Sequence, residues 1–369
     1  MRPVFIRSRW GAAVVAAILA LVTLPSAASE APSDVVSGKG PEPVSIDRLA
    51  FGPDGVLFIA DSQGARIYAV DIDRPADAAP GIRPVAGLDR QVAALMGSDS
   101  SRVYFTDLAV DPRTGQGYVA ATRSSGESGL FRIDGGGRVT LASLRGRPYA
   151  AVSLPNPPPL AAGNRASRDT TVTAMAYDNG RLYVAGLSNE EFASKLRAIP
   201  YPFRAAGRGV NVEIYHTSHG DYETRSPVYT LLPMRFDGAA ALLAAYICTP
   251  LVRLPESALT DGAQVRGDTL AEMGRHNRPL DMIAYVKDGE SFILMANSRR
   301  GLLRLPAAAL QAAPVLPFTD TGIDTHDLGA RPVRTMANVE QIALVGADRF
   351  AALQRQSDRS VDLQVAALP

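Results

Sequence analysis

Residues 49–61 read LAFGPDGVLFIAD, and this stretch decides the fold. Two short apolar segments flank Asp54-Gly55, and the second segment ends in Ala60-Asp61. Aromatic and β-branched residues favour a pleated, half-buried strand. An Asp-Gly pair supplies the positive φ angles that a tight hairpin turn requires. The stretch therefore predicts a β-hairpin.

The same pattern returns along the chain at intervals of about 50 to 65 residues. Further copies lie at 108–120, 175–185, 231–247, 283–296 and 340–353, and third strands follow at 66–70, 129–133 and 302–305. Hairpins that recur in this way are typical of sheets arranged around an axis. We predict an all-β protein, a β-propeller of six four-stranded blades. A pair of β-sandwiches is the alternative, which the regular spacing disfavours.

The segment at 49–70 resembles an NHL repeat and, more loosely, the calcium-dependent lactonases of the gluconolactonase and senescence-marker group. Both groups are six-bladed propellers. The resemblance covers one blade, and it implies a fold rather than an activity. The lactonases hold a divalent cation at the axis with acidic and Asn residues, so the resemblance implies a cation site as one option for this chain.

Residues 1–28 have the pattern of a secretory signal peptide. Basic residues precede an apolar run at 10–24, and Ser26-Ala27-Ala28 supplies the small residues of a cleavage site. The run is shorter than the roughly 20 residues that a membrane span requires. We therefore expect a periplasmic or secreted protein with no transmembrane segment in the mature chain.

The rest of the chain divides into two parts. We expect 29–44 to form an N-terminal segment that adds a strand to the last blade and so covers its edge. Residues 45–369 are expected to form one propeller domain. A single helical turn is expected within 190–198, and the Pro-rich run at 154–160 predicts a rim loop or a lid.

Composition excludes several classes of protein. The formal net charge is +1 over 369 residues with no basic stripe, which argues against nucleic-acid binding. One cysteine allows no internal disulfide and no Cys-x-x-Cys-His haem attachment. No glycine fingerprint for a dinucleotide follows a predicted strand. We expect no haem, nicotinamide or flavin, and a monomer.

Propeller topology brings particular chain positions together. The start of the first strand and the end of the second strand share one face in every blade, and the loops there surround the mouth of the channel. Oxygen-bearing residues at these positions are Asp47, Asp107, Asp281 and Asn297. Such oxygens suit a hard cation such as calcium. The alternative for each is a capping role, in which the side chain binds nearby backbone.

All four histidines fall in predicted connections between blades: His216, His219, His276 and His326. Several imidazoles on one face could hold zinc or copper, and one alone could act as a general base near neutral pH. Two residues three apart in an extended segment point to opposite faces, so the first pair needs a turn to converge. Histidines in separate surface loops are the alternative.

Further candidates for ligand binding lie at the same face. They are Arg225, Arg275 and Arg278 in the connections, with Asn189, Cys248 and Asn297 at the ends of second strands. A guanidinium binds carboxylate or phosphate, which favours a small anionic ligand. Solvated rim charge is the alternative reading of the arginines, and burial as a small apolar side chain is that of the cysteine.

Three functions follow from these candidates. The first is an exported propeller that binds a small anionic ligand or a metal ion (calcium, zinc or copper) at the channel mouth, as an accessory of a periplasmic redox system. The second is a divalent-cation-dependent hydrolase of lactonase type. The third is a scaffold for a periplasmic protein partner. No nucleophile motif decides whether the protein is an enzyme.

Overall fold

The six predicted hairpins all form. The computed structural model describes residues 35–160, 167–217, 220–247, 250–274, 276–317 and 326–369. These parts of the chain are almost entirely β-structure, arranged as six small sheets around one axis. The predicted hairpins are the two innermost strands of each sheet. The protein is therefore a six-bladed β-propeller.

The strands have the following bounds. In chain order they are β1 (Val35–Lys39), β2 (Arg48–Phe51), β3 (Leu57–Asp61), β4 (Arg66–Val70), β5 (Val103–Val110), β6 (Gly117–Arg123), β7 (Ser128–Ile133), β8 (Val139–Leu141), β9 (Pro148–Ser153), β10 (Ala174–Asp178), β11 (Arg181–Leu187), β12 (Ser194–Pro200), β13 (Val210–His216), β14 (Asp221–Glu223), β15 (Val228–Phe236), β16 (Ala239–Tyr246), β17 (Pro250–Pro255), β18 (Gln264–Arg266), β19 (Asp268–Glu272), β20 (Pro279–Lys287), β21 (Glu290–Asn297), β22 (Gly301–Pro306), β23 (Arg331–Pro332), β24 (Val339–Val345), β25 (Arg349–Arg355) and β26 (Val361–Ala367).

We number the blades by the order in which the chain forms their innermost strands. From the axis outward, blade 1 contains β2, β3, β4, β9 and β1, and blade 2 contains β5 to β8. Blade 3 contains β10 to β14, with β18 parallel to β13. Blade 4 contains β15, β16, β17 and β19, blade 5 contains β20 to β23, and blade 6 contains β24 to β26. Counted over the described residues, three blades have the four strands that we predicted, blades 1 and 3 have more, and blade 6 has three.

The order of the blades around the axis differs from their order in the chain. The innermost strands touch in a closed ring that runs through blades 1, 2, 6, 5, 4 and 3. After completing blade 2, the chain returns to blade 1 and lays β9 on β4. The N-terminal strand that we expected does form, but β1 pairs with β9 on blade 1 and not with the last blade.

Two helices were not predicted. They are α1 (Leu88–Met96) and α2 (Ala307–Gln311), and 3-10 turns lie at Pro53–Gly55, Ser100–Arg102, Arg168–Thr170 and Glu256–Ala258. Helix α1 lies between two left-handed glycines, and Leu88 and Val92 are buried in the core between blades 2 and 6. The helical turn expected within 190–198 is absent, because that segment runs into strand β12. Within the described residues, no helix is long and apolar enough to cross a membrane.

The turns explain why these sequences form hairpins. Asp54, Asn179, Asp237 and Asp288 have φ angles of 53°, 44°, 49° and 52°, and a glycine with positive φ follows each of them. Asp and Asn tolerate this left-handed conformation better than other residues with a side chain, and glycine adopts it without steric cost. The Asp-Gly and Asn-Gly pairs of the sequence therefore act as the predicted turns.

Candidate functional site

Six inner strands place one equivalent residue each around the axis. In four blades a β-bulge interrupts the pairing near the start of the innermost strand, and the residue after the bulge is Asp107, Thr230, Asp281 or Gln341. Arg48 and Ala174 hold the same position in the other two blades. In each, the backbone N–H of the preceding residue donates to a carbonyl of the second strand, from Asp47 to Ala60 and from Thr173 to Ala185. In order around the axis the ring is Arg48, Asp107, Gln341, Asp281, Thr230 and Ala174. All six line a cavity of about 250 Å³.

Asp107 and Asp281 each join two neighbouring blades. Asp107 Oδ2 accepts the backbone N–H of Leu49 in blade 1 at 2.6 Å, and its Oδ1 accepts that of Leu108 at 2.9 Å. Asp281 Oδ2 accepts the N–H of Ile342 in blade 6 at 2.9 Å, and its Oδ1 accepts that of Met282 at 2.8 Å. These bonds fix both carboxylates at the edge of the axial cavity.

Gln341 lies between the two acids. One atom of its terminal amide is 3.2 Å from Asp107 Oδ1 and 3.2 Å from Asp281 Oδ2. With the amide nitrogen at that place, Gln341 donates a hydrogen bond to each carboxylate. With the carbonyl oxygen there, three side-chain oxygens converge with no proton donor between them. The second arrangement is the one that a cation would favour.

Arg48 is next to Asp107 in this ring and opposite Asp281, but its guanidinium is held by backbone. Nε donates to the carbonyl of Thr173 at 2.7 Å, and Nη1 donates to those of Asp47 and Thr106 at 2.7 and 2.9 Å. These contacts tie blades 1, 2 and 3 together at the axis. Arg48 thus contributes positive charge to the site from a fixed position.

Burial shifts the titration of both axial acids. Loss of hydration raises the pKa of Asp107 to about 6, against a smaller opposing effect of the Arg48 charge. Burial, followed by repulsion from Asp107, raises the pKa of Asp281 to about 8. At neutral pH the pair therefore retains a proton unless a cation replaces it. Two buried carboxylates that repel each other are stable together only when a proton or a cation neutralises part of their charge.

The other two predicted oxygen ligands cap turns. Asp47 Oδ2 accepts the backbone N–H of Ser62 at 2.8 Å and also bonds Ser45, and burial raises the pKa of Asp47. Asn297 Oδ1 accepts the backbone N–H groups of Arg299 and Arg300, both at 3.0 Å. Asp47 and Asn297 thus bind nearby backbone, as the capping alternative expects, whereas Asp107 and Asp281 line the axial cavity.

The histidines are distributed over several environments. His216 ends β13 and is buried between Glu223 and Glu272, with Nδ1 3.1 Å from Glu223 Oε1 and Nε2 3.9 Å from Glu272 Oε2. Burial raises the pKa of Glu272 to about 7. His326 pairs with Glu272 through backbone, and His276 is exposed with a φ of 61°. His219 lies outside the described residues, among which no group of three or more His, Cys, Asp and Glu is placed to hold a metal.

The predicted rim residues lie mostly at the surface. Arg225, Arg278 and Asn189 are exposed. The backbone N–H of Arg278 donates to Ser298 Oγ at 2.9 Å, which fixes the start of β20. Arg275 and Cys248 lie outside the described residues. A positive mouth that attracts anions therefore stays a prediction.

Sequence reasoning missed Gln341 and Arg48. Neither belongs to a motif with known chemistry, and each looks like an ordinary polar residue before a strand. The available signal was the alignment of the hairpins on one another, because Arg48-Leu49-Ala50, Asp107-Leu108-Ala109 and Gln341-Ile342-Ala343 share one pattern. That alignment would have placed all three polar residues at the same level of the axis.

No protein-family model matches the chain, and no curated protein matches its sequence significantly. Solved structures resemble it at low identity. A PQQ-bound aldose sugar dehydrogenase from Streptomyces coelicolor has 12% identity and a TM-score of 0.34, over 91% of this chain and 99% of that one. An engineered GH43 glycoside hydrolase has 14% identity and a TM-score of 0.35, over 73% and 51%. The Dos1 propeller has 8% identity and a TM-score of 0.33, over 87% and 67%.

Proposed function

We propose that this protein is an exported propeller whose axial cavity binds a hard divalent cation, calcium in the first place, and through it a small anionic ligand. The observation that carries the proposal is the convergence of Asp107, Asp281 and Gln341, in which one amide atom of Gln341 lies 3.2 Å from an oxygen of each acid. Calcium binds oxygen at 2.3–2.6 Å, so neighbouring ligands in its shell lie about 3.4 Å apart. The spacing of the three side chains fits that shell.

The charge of the site supports the same occupant. Two carboxylates face one cavity, and after burial it is repulsion from Asp107 that raises the pKa of Asp281. The backbone N–H groups that bind these carboxylates orient them without neutralising them. A divalent cation would offset the repulsion and displace the retained proton.

A cation held in this way would leave room for a ligand. Calcium takes six to eight oxygen ligands, and three side-chain oxygens leave positions open toward the cavity. The cavity of about 250 Å³ limits the ligand to a small molecule. The exposed guanidiniums of Arg225 and Arg278 add positive charge outside the cavity, and a bound cation adds more within it. Together these charges favour an anion.

Calcium titration of the purified mature protein tests the proposal. Calcium should raise the midpoint of thermal unfolding, by an amount equivalent to about 2.7 kcal/mol at roughly 100 times Kd. Asp281→Asn should abolish the rise. Asp61→Asn is the matched control, because Asp61 is a buried carboxylate that accepts backbone N–H groups and does not line the axial cavity. It should lower stability yet keep the response to calcium. An unchanged wild-type midpoint contradicts the proposal.

A second candidate function is hydrolysis of a lactone or similar ester. It is favoured by the two carboxylates that line one cavity, since one can help to hold a cation while the other accepts a proton from water. The cation would polarise the substrate carbonyl. Turnover of a panel of aliphatic lactones should require calcium and be lost in Asp107→Asn. Binding of calcium without turnover of any lactone in the panel would leave the binding function and remove the hydrolase.

A further inference from the structure

A second cavity lies in blade 5, at the other end of the blade from Asp281. It has a volume of about 550 Å³ and is lined by apolar and basic side chains, among them Phe292, Arg304 and Arg331. Phe292 lies near the start of β21, close to the turn at Asp288, whereas Asp281 lies near the start of β20. The length of strand β20 therefore separates this blade 5 cavity from the axial site.

The three-stranded form of blade 6 explains why the cavity exists. Phe292 belongs to the face of blade 5 that packs on blade 6, and Arg304 follows it outward on the same face. Among the described residues, blade 6 has no fourth strand that covers the outer part of that face. Leu368 and Pro369 lie beside it instead: the backbone oxygen of Leu368 accepts from Lys287 and that of Pro369 accepts from Tyr285, both at 2.8 Å.

Two arginines face each other at this uncovered place. Arg304 of β22 is directly opposite Arg331 of β23, and like charges at directly opposed positions destabilise a sheet. Among the described residues, no carboxylate lies within ion-pair distance of either guanidinium. Glu290 also lines the cavity but pairs with neither. The pair therefore has positive charge that the described part of the chain does not neutralise.

The surroundings of the pair are apolar and orient it. The Arg304 guanidinium lies over the Phe292 ring, 3.7 Å from its centroid, which holds the planar group against one wall. Leu328, Pro332 and Val333 form other parts of the lining. Charged donors next to apolar walls fit a molecule that has both an anionic group and an apolar body.

We propose that the blade 5 cavity binds a small organic anion, a carboxylate joined to a flat apolar body. The carboxylate would accept hydrogen bonds from Arg304 and Arg331, since a guanidinium matches carboxylate geometry with two parallel donors. The apolar body would pack on Leu328 and Val333. This site is independent of the axial cation site and needs no cation.

Calorimetric titration with three probes tests the assignment on the mature protein: sodium benzoate, sodium acetate and benzyl alcohol. Benzoate should bind at least tenfold more tightly than the other two, because only benzoate has both the charge and the ring. Arg304→Gln and Arg331→Gln should each weaken benzoate binding at least tenfold. Arg299→Gln removes an exposed arginine of blade 5 that does not line this cavity, and it should leave benzoate binding unchanged.

Two further results separate this site from folding and from the axial proposal. Asp281→Asn should bind benzoate as the wild type does, whatever happens to calcium. In buffer without organic anions, Arg331→Gln should raise the unfolding temperature, because it removes the repulsion between Arg304 and Arg331. Added benzoate should reduce the difference in unfolding temperature between this variant and the wild type. Benzoate binding that is absent, or that survives both arginine substitutions, overturns the proposal. A lower unfolding temperature for Arg331→Gln also counts against it.

Discussion

Asp107 and Asp281 hold the same position in the innermost strands of blades 2 and 5, directly after the bulged residues Thr106 and Leu280. A bulge redirects the side chain that follows it. Each carboxylate consequently accepts one N–H from its own strand and one from the neighbouring blade. The same bonds that hold adjacent blades together also aim two acids into one cavity.

Protonation of Asp281 should be visible in the pH dependence of stability. Its folded-state pKa of about 8 lies above the ordinary value of 3.8, so the folded state binds a proton that the unfolded state has lost. The resulting stabilisation is complete below the ordinary pKa and is lost as pH rises through about 8. In chelator, wild type should lose stability relative to Asp281→Asn between pH 6 and 8, by at most about 1.4 kcal/mol per pH unit. Parallel stability profiles for the two proteins would contradict this pKa.

Alanines on the second strands mark where the propeller is most crowded. Ala185 is fully buried and lies opposite Ala174 of the axial ring. Ala185→Leu should reduce the free energy of unfolding by about 1 to 3 kcal/mol, because the core has no space for the added atoms. Ala367→Leu changes an exposed alanine at the end of a strand and should have little effect. Urea denaturation of both variants compares them; equal stability would show that the axis is loosely packed.

Asp61 should be one of the most important polar residues for stability. Its buried carboxylate accepts the backbone N–H groups of Val44, Ser45 and Gly64 at 3.0, 3.0 and 2.8 Å. Asp61→Ala should cost about 2 kcal/mol or more, since these donors would lose a charged acceptor. Asp73→Ala removes an exposed carboxylate 3.7 Å from Arg147, and it should cost well under about 1 kcal/mol. Denaturant midpoints that fall equally in the two variants would refute the stabilising role of Asp61.

The histidines should differ in their effect on folding. His216 is buried between Glu223 and Glu272, whereas His276 is exposed. His216→Asn should destabilise the protein by about 2 kcal/mol, because it disrupts a buried polar network. His276→Asn keeps a residue that tolerates the left-handed backbone and should change stability by less than about 0.5 kcal/mol. Thermal unfolding measures the stability of both variants. A larger loss of stability at His276 than at His216 would contradict the burial of the His216 ring.

The hairpins could be predicted because their information is local. Asp54-Gly55 and its counterparts specify a turn within a few residues, and the flanking apolar runs specify the strands. Strand β9 could not be placed in the same way, because the whole of blade 2 separates it in sequence from its partner β4. The order of the blades around the axis was therefore not readable from the sequence. Helix α1 has nine residues, too few turns to give a clear helical period.

Two acids of the axial ring were among the residues that we expected at the channel mouth. Asp107 and Asp281 were candidates because they precede strands, but Asp47 precedes a strand as well and caps a turn instead. The difference is one residue of register. Asp107 and Asp281 hold the position of Arg48, which lines the axial cavity without a bulge, whereas Asp47 lies one residue earlier. A one-residue shift of this kind leaves no mark in the sequence of a single hairpin. Comparison of all six hairpins reveals it, and the comparison also identifies Gln341.

Calcium binding by Gln341→Glu tests the central claim most directly. If three oxygens coordinate a cation, the added carboxylate should tighten calcium binding and restore, in calcium, the stability that the variant loses in chelator. If Gln341 acts only as an amide donor that joins Asp107 to Asp281, the variant places a third acid beside the other two. Calcium would then neither bind more tightly nor restore its stability, and that result would contradict an axial cation site.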